Sequence, residues 1–331
     1  MYDYTVKKNP HGIIITRPYS HQGGYAASVE KMNMGWCGDF SGDWKGLKLQ
    51  IQNIYQSAKR GYGSPGCEVA GFFMKRSNKE QFVRYAQFGC MTACMINGGE
   101  NGAFSNHLPW WHGTDVENIY RYCVVLHNEM IPYFFSTVVD AHLRGGSLIK
   151  NASYEEESHQ VGDYLFTKAI TSTDNRVSFH LPSEGEWMDF YNGKKYAPGS
   201  LIEEAYALEH FPLFVKEGAI LPLNVASEIT GLGDASMAGR RTIMIYPNGN
   251  TTRLLHLPCG DGIEYEDCLV TYDEKTGKLQ VSGGTFQKYT FILKNMPSVK
   301  EVKNAVSWKY NVEKQELRID AQGDSLNIKI S

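Results

Sequence analysis

The stretch Trp36-Cys37-Gly38-Asp39, with Arg17 upstream in Ile13-Ile14-Ile15-Thr16-Arg17-Pro18, puts an arginine and a carboxylate at the ends of two successive apolar runs. A carboxylic acid beside an aromatic ring can give or take a proton, provided its surroundings let it hold one near neutral pH. A guanidinium offers two parallel donors to hydroxyls or to a second carboxylate. Read alone, both residues have plainer explanations: Gly38-Asp39 suits a turn or helix cap, and Arg17 suits a surface arginine at a strand end. Asp43, directly followed by Trp44, competes with Asp39 and fits better as the cap of the next helix. Position is what favours chemistry. Residues 13–16 form a continuous β-branched run, the pattern of a strand covered on both faces. In a barrel of alternating strands and helices, substrate is met at the carboxyl ends of the strands.

The elements that must position these residues follow from periodicity. Residues 43–58 carry Leu47, Ile51, Ile54, Tyr55 and Ala58 on one helical face, with Ser41 or Asp43 as cap and an end at Gly61-Tyr62-Gly63. Residues 79–91 repeat the helical pattern. Residues 116–142 do so at length, with Pro132 expected to kink or break the helix. Strand, helix, strand, helix is the grammar of a parallel barrel. After Arg144-Gly145-Gly146-Ser147 the period shortens: runs at 164–171, 177–181 and 213–215, punctuated by Gly, Pro and Asn, read as antiparallel β-sandwich strands. From about Gly231 a second β unit is expected, with strands at 242–246 and 290–293. The expected domains are therefore 1–144, 145–230 and 231–331.

The chain has 331 residues, 42% of them hydrophobic, enough for more than one cored domain. A net charge of −3 gives no electrostatic case for nucleic acid or an anionic membrane. There is no run of about 18 apolar residues and no leader-like segment in residues 1–9. The seven cysteines are odd in number and sit mostly in expected buried elements, which favours free thiols and a cytoplasmic compartment, though a periplasmic or secreted location stays open. Cys90 and Cys94 lack a second pair, so no metal site is expected. Trp110-Trp111 after Pro109 reads either as core or as a surface that stacks on sugar rings.

Seven segments in order resemble glycoside hydrolase family 31, whose members are α-glucosidases, α-xylosidases and α-galactosidases. They are Arg17; Trp36-Cys37-Gly38-Asp39; Gly66-Cys67-Glu68-Val69-Ala70-Gly71-Phe72; Arg84-Tyr85-Ala86-Gln87-Phe88-Gly89; a helix containing Ile131-Pro132-Tyr133; Gly185-Glu186-Trp187-Met188-Asp189; and Pro212 to Pro222 around Phe214-Val215-Lys216. The resemblance spans roughly residues 10 to 265. It implies the second half of a (β/α)8 TIM barrel followed by two antiparallel β-sandwich domains, a fold of the α/β plus all-β class. It also implies retaining hydrolysis, in which one carboxylate attacks the anomeric carbon and a second, about 5 Å away, protonates the leaving oxygen. Asp39 takes the acid/base position, and burial beside Trp36 would help it keep a proton. Arg17, Trp36 and Glu68 take substrate-binding positions, and no cofactor is implied.

Three departures bear on specificity. The separation of Arg17 and Asp39 is several residues longer than the family's, so a loop within residues 21–34 is expected at the pocket mouth. Glu68 stands where the family has aspartate, which moves the carboxyl outward by a methylene. Ile96-Asn97-Gly98 stands where the family ends a strand with Arg-x-His, leaving Glu100 or Asn101 to fill that space, or Asn97-Gly98-Gly99 to be only a loop. The attacking aspartate lies upstream of the arginine in the family, and only Asp3 precedes Arg17 here, in what reads as a helix tail. The chain thus reads as the carboxyl-terminal part of a longer enzyme, inactive alone. The expected activity is that of a retaining α-glycoside hydrolase on the ends of α-linked oligo- or polysaccharides. The alternative is a non-catalytic carbohydrate-binding or scaffold protein. Besides substrate, the expected partner is a separate amino-terminal half or a second copy of the chain.

Overall fold

The computed structural model describes residues 2–331 apart from 18, 21–23, 26–27, 73–74, 99–106, 260–263, 286–287 and 324. Four short strands, Ile15–Thr16, Met34–Trp36, Pro65–Glu68 and Cys94–Ile96, pair in that order and all in parallel. Parallel neighbours need a crossover, and helices α2 (Trp44–Lys59) and α3 (Lys79–Gly89) supply two of them. The stripe read from the sequence is the buried face of α2: Leu47, Ile51, Ile54, Tyr55 and Ala58. Asp43 is its cap, accepting from the Gly46 amide at 3.0 Å. Asn78 and Gln81 close a capping box on α3.

The first strand differs from expectation. Only Ile15–Thr16 is extended in a ladder, and Ile13 and Ile15 are 73% and 54% exposed. The strand pairs with one neighbour only, Met34–Trp36. The preceding helix α1 (Tyr2–Lys8) buries no residue. The extra residues before Met34 include a two-residue antiparallel pairing of Tyr19–Ser20 with Gly24–Tyr25.

Helix α4 (Thr114–Arg144) runs through Pro132 without the expected break. An internal proline costs about 3 kcal/mol, and the burial of Leu126, Met130, Tyr133 and Phe134 on either side of it offsets that cost. Two compact units account for the chain, one of residues 1–127, 137–183 and 199–214, the other of residues 128–136, 184–198 and 215–331. In the first, Ile149–Ser153, Ser158–Val161 and Leu165–Lys168 form an antiparallel run, and Arg176–His180 pairs with Leu201–Ala205. Phe166, Phe179 and Phe214 pack there with ring centroids 5.9 to 6.4 Å apart.

In the second unit two five-stranded sheets enclose a core that includes Ile243, Leu255, Val270, Phe291, Ile319 and Ile328. One sheet is antiparallel throughout, built on the long hairpin Asn250–Cys259 and Glu264–Asp273. The other contains one parallel pair, Arg241–Ile245 with Lys288–Leu293. The expected strands at 242–246 and 290–293 are this pair.

Candidate active site

The register of the parallel strands brings their carboxyl ends together: Thr16 lies opposite Gly35, Trp36 opposite Gly66, and Glu68 opposite Ile96. Arg17, Asp39, Glu68 and Asn97 follow or end these strands. Arg17 lies over the Trp36 ring, its Cζ 4.6 Å from the ring centroid, and its Nη2 is 3.1 Å from Asp39 Oδ2. Gly38 makes this possible. It adopts φ +100°, and a Cβ there would stand 2.9 Å from Arg17 Nε. The loop after Trp36 is fixed on both sides. Asn53 of α2 donates to the Cys37 carbonyl at 3.3 Å, Tyr85 of α3 donates to the Ser41 carbonyl at 2.7 Å, and the Phe72 amide donates to Phe40 O at 2.7 Å.

Asp39 is not buried beside Trp36 as the sequence suggested. Its side chain is 33% exposed and ion-paired with Arg17, although Cys37 and Phe40 on either side are buried. The buried carboxyl is Glu68, 3% exposed at the last position of its strand. Burial pushes Glu68 from its ordinary 4.5 up to about 8, and the charge of Asp39 adds to the push; a hydrogen bond with Trp36 and the charge of Arg17 oppose it. Glu68 therefore carries its proton at pH 7. Its Oε2 has no hydrogen-bond partner among the described residues. The chain leaves Glu68 through Ala70 and Gly71, both left-handed at φ 66° and 72°. For a residue with a side chain this is strained backbone, which concentrates at functional sites.

Asn97 donates to Tyr120 Oη at 3.0 Å, so the position following the fourth strand is tied to α4. Glu100 and Asn101 lie outside the described residues, as does Gly99. Trp110 and Trp111 are 59% and 54% exposed, surface rather than core, because Pro109 takes the buried place and His112 turns inward onto Phe82 at 4.7 Å. Asp3 sits on α1 with an 80% exposed side chain bound to Lys31 at 2.6 Å. No group of three metal-ligating side chains occurs among the described residues. The sequence did not signal the contact of Gly38 with Arg17 or the tie from Asn97 to Tyr120. The first could be suspected from the glycine between Trp36 and Asp39, the second from nothing local.

Comparison with known proteins gives the family. The glycosyl hydrolases family 31 TIM-barrel domain matches residues 2–137, and the glycosyl hydrolase family 31 C-terminal domain matches residues 130–221. An α-xylosidase of Saccharolobus solfataricus is 25% identical over 293 residues, covering 82% of this chain and 37% of the relative. α-Glucosidase 2 of Bacillus thermoamyloliquefaciens is 24% identical over 254 residues, covering 72% and 31%. The chain thus spans about a third of the length of these relatives. Among solved structures, the cycloalternan-forming enzyme of Listeria monocytogenes in complex with a pentasaccharide substrate is similar over 100% of this chain and 34% of its own, at 17% identity and a TM-score of 0.83. A family 31 dextranase of Flavobacterium johnsoniae in complex with glucose covers 100% and 47%, at 20% identity and a TM-score of 0.80. With the two family domains running consecutively from residue 2 to residue 221, the chain belongs to glycoside hydrolase family 31.

Proposed function

We propose that the chain carries the acid/base half of a retaining α-glycosidase that acts on the ends of α-linked oligo- or polysaccharides. The observation that carries this reading is the cluster of Arg17, Trp36, Asp39 and Glu68 at the carboxyl ends of adjacent parallel strands. In the proposed reaction a carboxylate that this cluster does not supply bonds to the anomeric carbon as the bond to the leaving oxygen breaks; Asp39, protonated once bound sugar parts it from Arg17, gives that proton to the leaving oxygen and later takes one from the water that displaces the carboxylate. Before substrate arrives Arg17, seated over the Trp36 ring, pairs with the Asp39 carboxylate. Glu68, protonated and buried, donates to a sugar hydroxyl. A neutral carboxyl is a poor nucleophile, so the attack on carbon is assigned neither to Glu68 nor to the exposed Asp3. The alternative, a non-catalytic carbohydrate-binding protein, draws on the lack of an assigned nucleophile among the described residues.

The test uses aryl α-glucosides, α-xylosides and α-galactosides. The 331-residue chain alone should not turn them over. In an enzyme that also supplies the attacking carboxylate, Asp39→Asn should slow substrates with poor leaving groups by about a hundredfold or more and spare activated ones, since only the former need the proton. Equal losses on both would remove Asp39 from the acid role, and no turnover by any complete enzyme would favour the binding protein.

A further inference from the structure

Away from the strand ends, the carboxyl-terminal turn of α2 and the strand Ile149–Ser153 enclose a pocket of 470 Å³. That volume falls within the roughly 300–1,000 Å³ of small-molecule sites. Asp43, which caps α2 next to the candidate active site, and Lys59, which lines the pocket, stand at opposite ends of a 16-residue helix, about 24 Å apart along its axis. The two sites are therefore separate.

The pocket is built rather than left over. Ala58 and Ile149 are buried and form an apolar floor. Tyr55, fully buried, is fixed by a hydrogen bond between its hydroxyl and His159 Nδ1 at 2.9 Å. Tyr154 packs edge-on against Tyr55, centroids 5.7 Å apart, and keeps 38% of its surface exposed. The ladder register shifts between Lys150 and Ser153, and at this bulge Asn151 adopts the left-handed φ of 47°. Bulges and strained non-glycine residues re-aim side chains at functional positions. The Asn151 amide nitrogen donates to Gln160, which leaves its carbonyl oxygen to accept.

The lining also restricts the ligand by charge. Lys150 is held by Asp163 at 2.6 Å, and Lys59 is the lining cation with no ion pair among the described residues. One lysine is too little for a polyanion, but an aromatic ring, an apolar floor and a few hydroxyl-reading groups match a ring with one C–H face and polar edges. We infer that this pocket is a second carbohydrate site, which holds a neutral oligosaccharide against Tyr154, with hydroxyls donating to Asn151 Oδ1 and accepting from Lys59 Nζ; only the choice of an α-linked chain rests on the proposed function. It keeps a chain on the protein at a distance from cleavage. The assignment stands on the pocket's own lining and survives if the hydrolase reading fails.

Titration of the 331-residue protein with maltotriose and with isomaltotriose, followed calorimetrically and by saturation-transfer NMR, tests it. Binding of one or both is expected with a millimolar Kd that Arg17→Ala leaves unchanged. Tyr154→Ala should weaken it by about tenfold or more. Asn151→Gly, which suits the left-handed backbone and so keeps the fold, should weaken it as well. Raising the salt concentration should not move it, because the ligand is neutral. The inference is overturned by no saturable binding of either sugar, by binding that Tyr154→Ala and Asn151→Gly leave intact, by binding that Arg17→Ala abolishes, or by a steep salt dependence.

Discussion

Two carboxyl groups share one end of the parallel strands in opposite states of exposure: Asp39 ion-paired and partly open, Glu68 buried. The difference has a consequence for stability. Because the folded Glu68 holds its proton up to about 8 and the unfolded carboxyl releases it near 4.5, the folded state binds more protons across that window. Stability contributed by the neutral group is present in full below about 4.5 and is lost as pH rises towards 8, at no more than about 1.4 kcal/mol per pH unit. Denaturant midpoints of wild type and Glu68→Gln should therefore lie closest at pH 5, where the amide stands in for the neutral carboxyl, and separate towards pH 8.5 as the wild type loses stability that the amide keeps. The variant should have the flatter profile, and parallel profiles would show that Glu68 titrates normally. None of this was readable from residue types. The sequence offers Asp39 and Glu68 as two acidic residues after apolar runs, and which one is buried depends on what lies across the strand ends.

At the scale of elements the sequence is most legible where a period and a cap coincide. The face of α2 and its Asp43 cap were both visible, because a 3.6-residue stripe and a side chain that accepts from the third amide are local properties. Asp43→Ala should cost about 1 kcal/mol, read as a fall in the denaturant midpoint of the unit containing α2; no change would mean that Ser41 or water replaces the cap. The run at residues 13–16 shows where such reading fails. Apolarity says that a segment can be covered, not what will cover it, and Ile13 and Ile15 stand largely exposed. The hairpin of Asn250–Cys259 and Glu264–Asp273 went unread for the opposite reason. Its outward positions carry Asn250, Thr252 and Glu264, so half of each strand is polar and the inward half is too sparse to stand out.

For the molecule as a whole, among the described residues the parallel sheet ends in two strands with one partner each, Ile15–Thr16 and Cys94–Ile96. Unpaired backbone and exposed isoleucines at such an edge favour association with any chain that completes the ladder. Size-exclusion chromatography of the isolated chain should show self-association, and limited proteolysis should cut within residues 2–33 before it cuts the strands of residues 220–330. A monomer resistant throughout residues 2–144 would contradict the open edge. The buried thiols add something of a different kind, a set of internal clocks. Cys37, Cys67, Cys90 and Cys123 lie in one compact unit and Cys268 in the other, all inaccessible, while Cys94 and Cys259 are partly open. Burial raises Cys67, Cys90 and Cys268 above the ordinary thiol value and takes Cys37 up to about 12. A maleimide can therefore reach them only when the surrounding structure opens. Mass spectrometry of a labelling time course should find Cys94 and Cys259 modified first. The later rates at Cys67 and Cys268 would then give each unit its own opening free energy without any engineered probe, and equal rates would mean that the two units open as one.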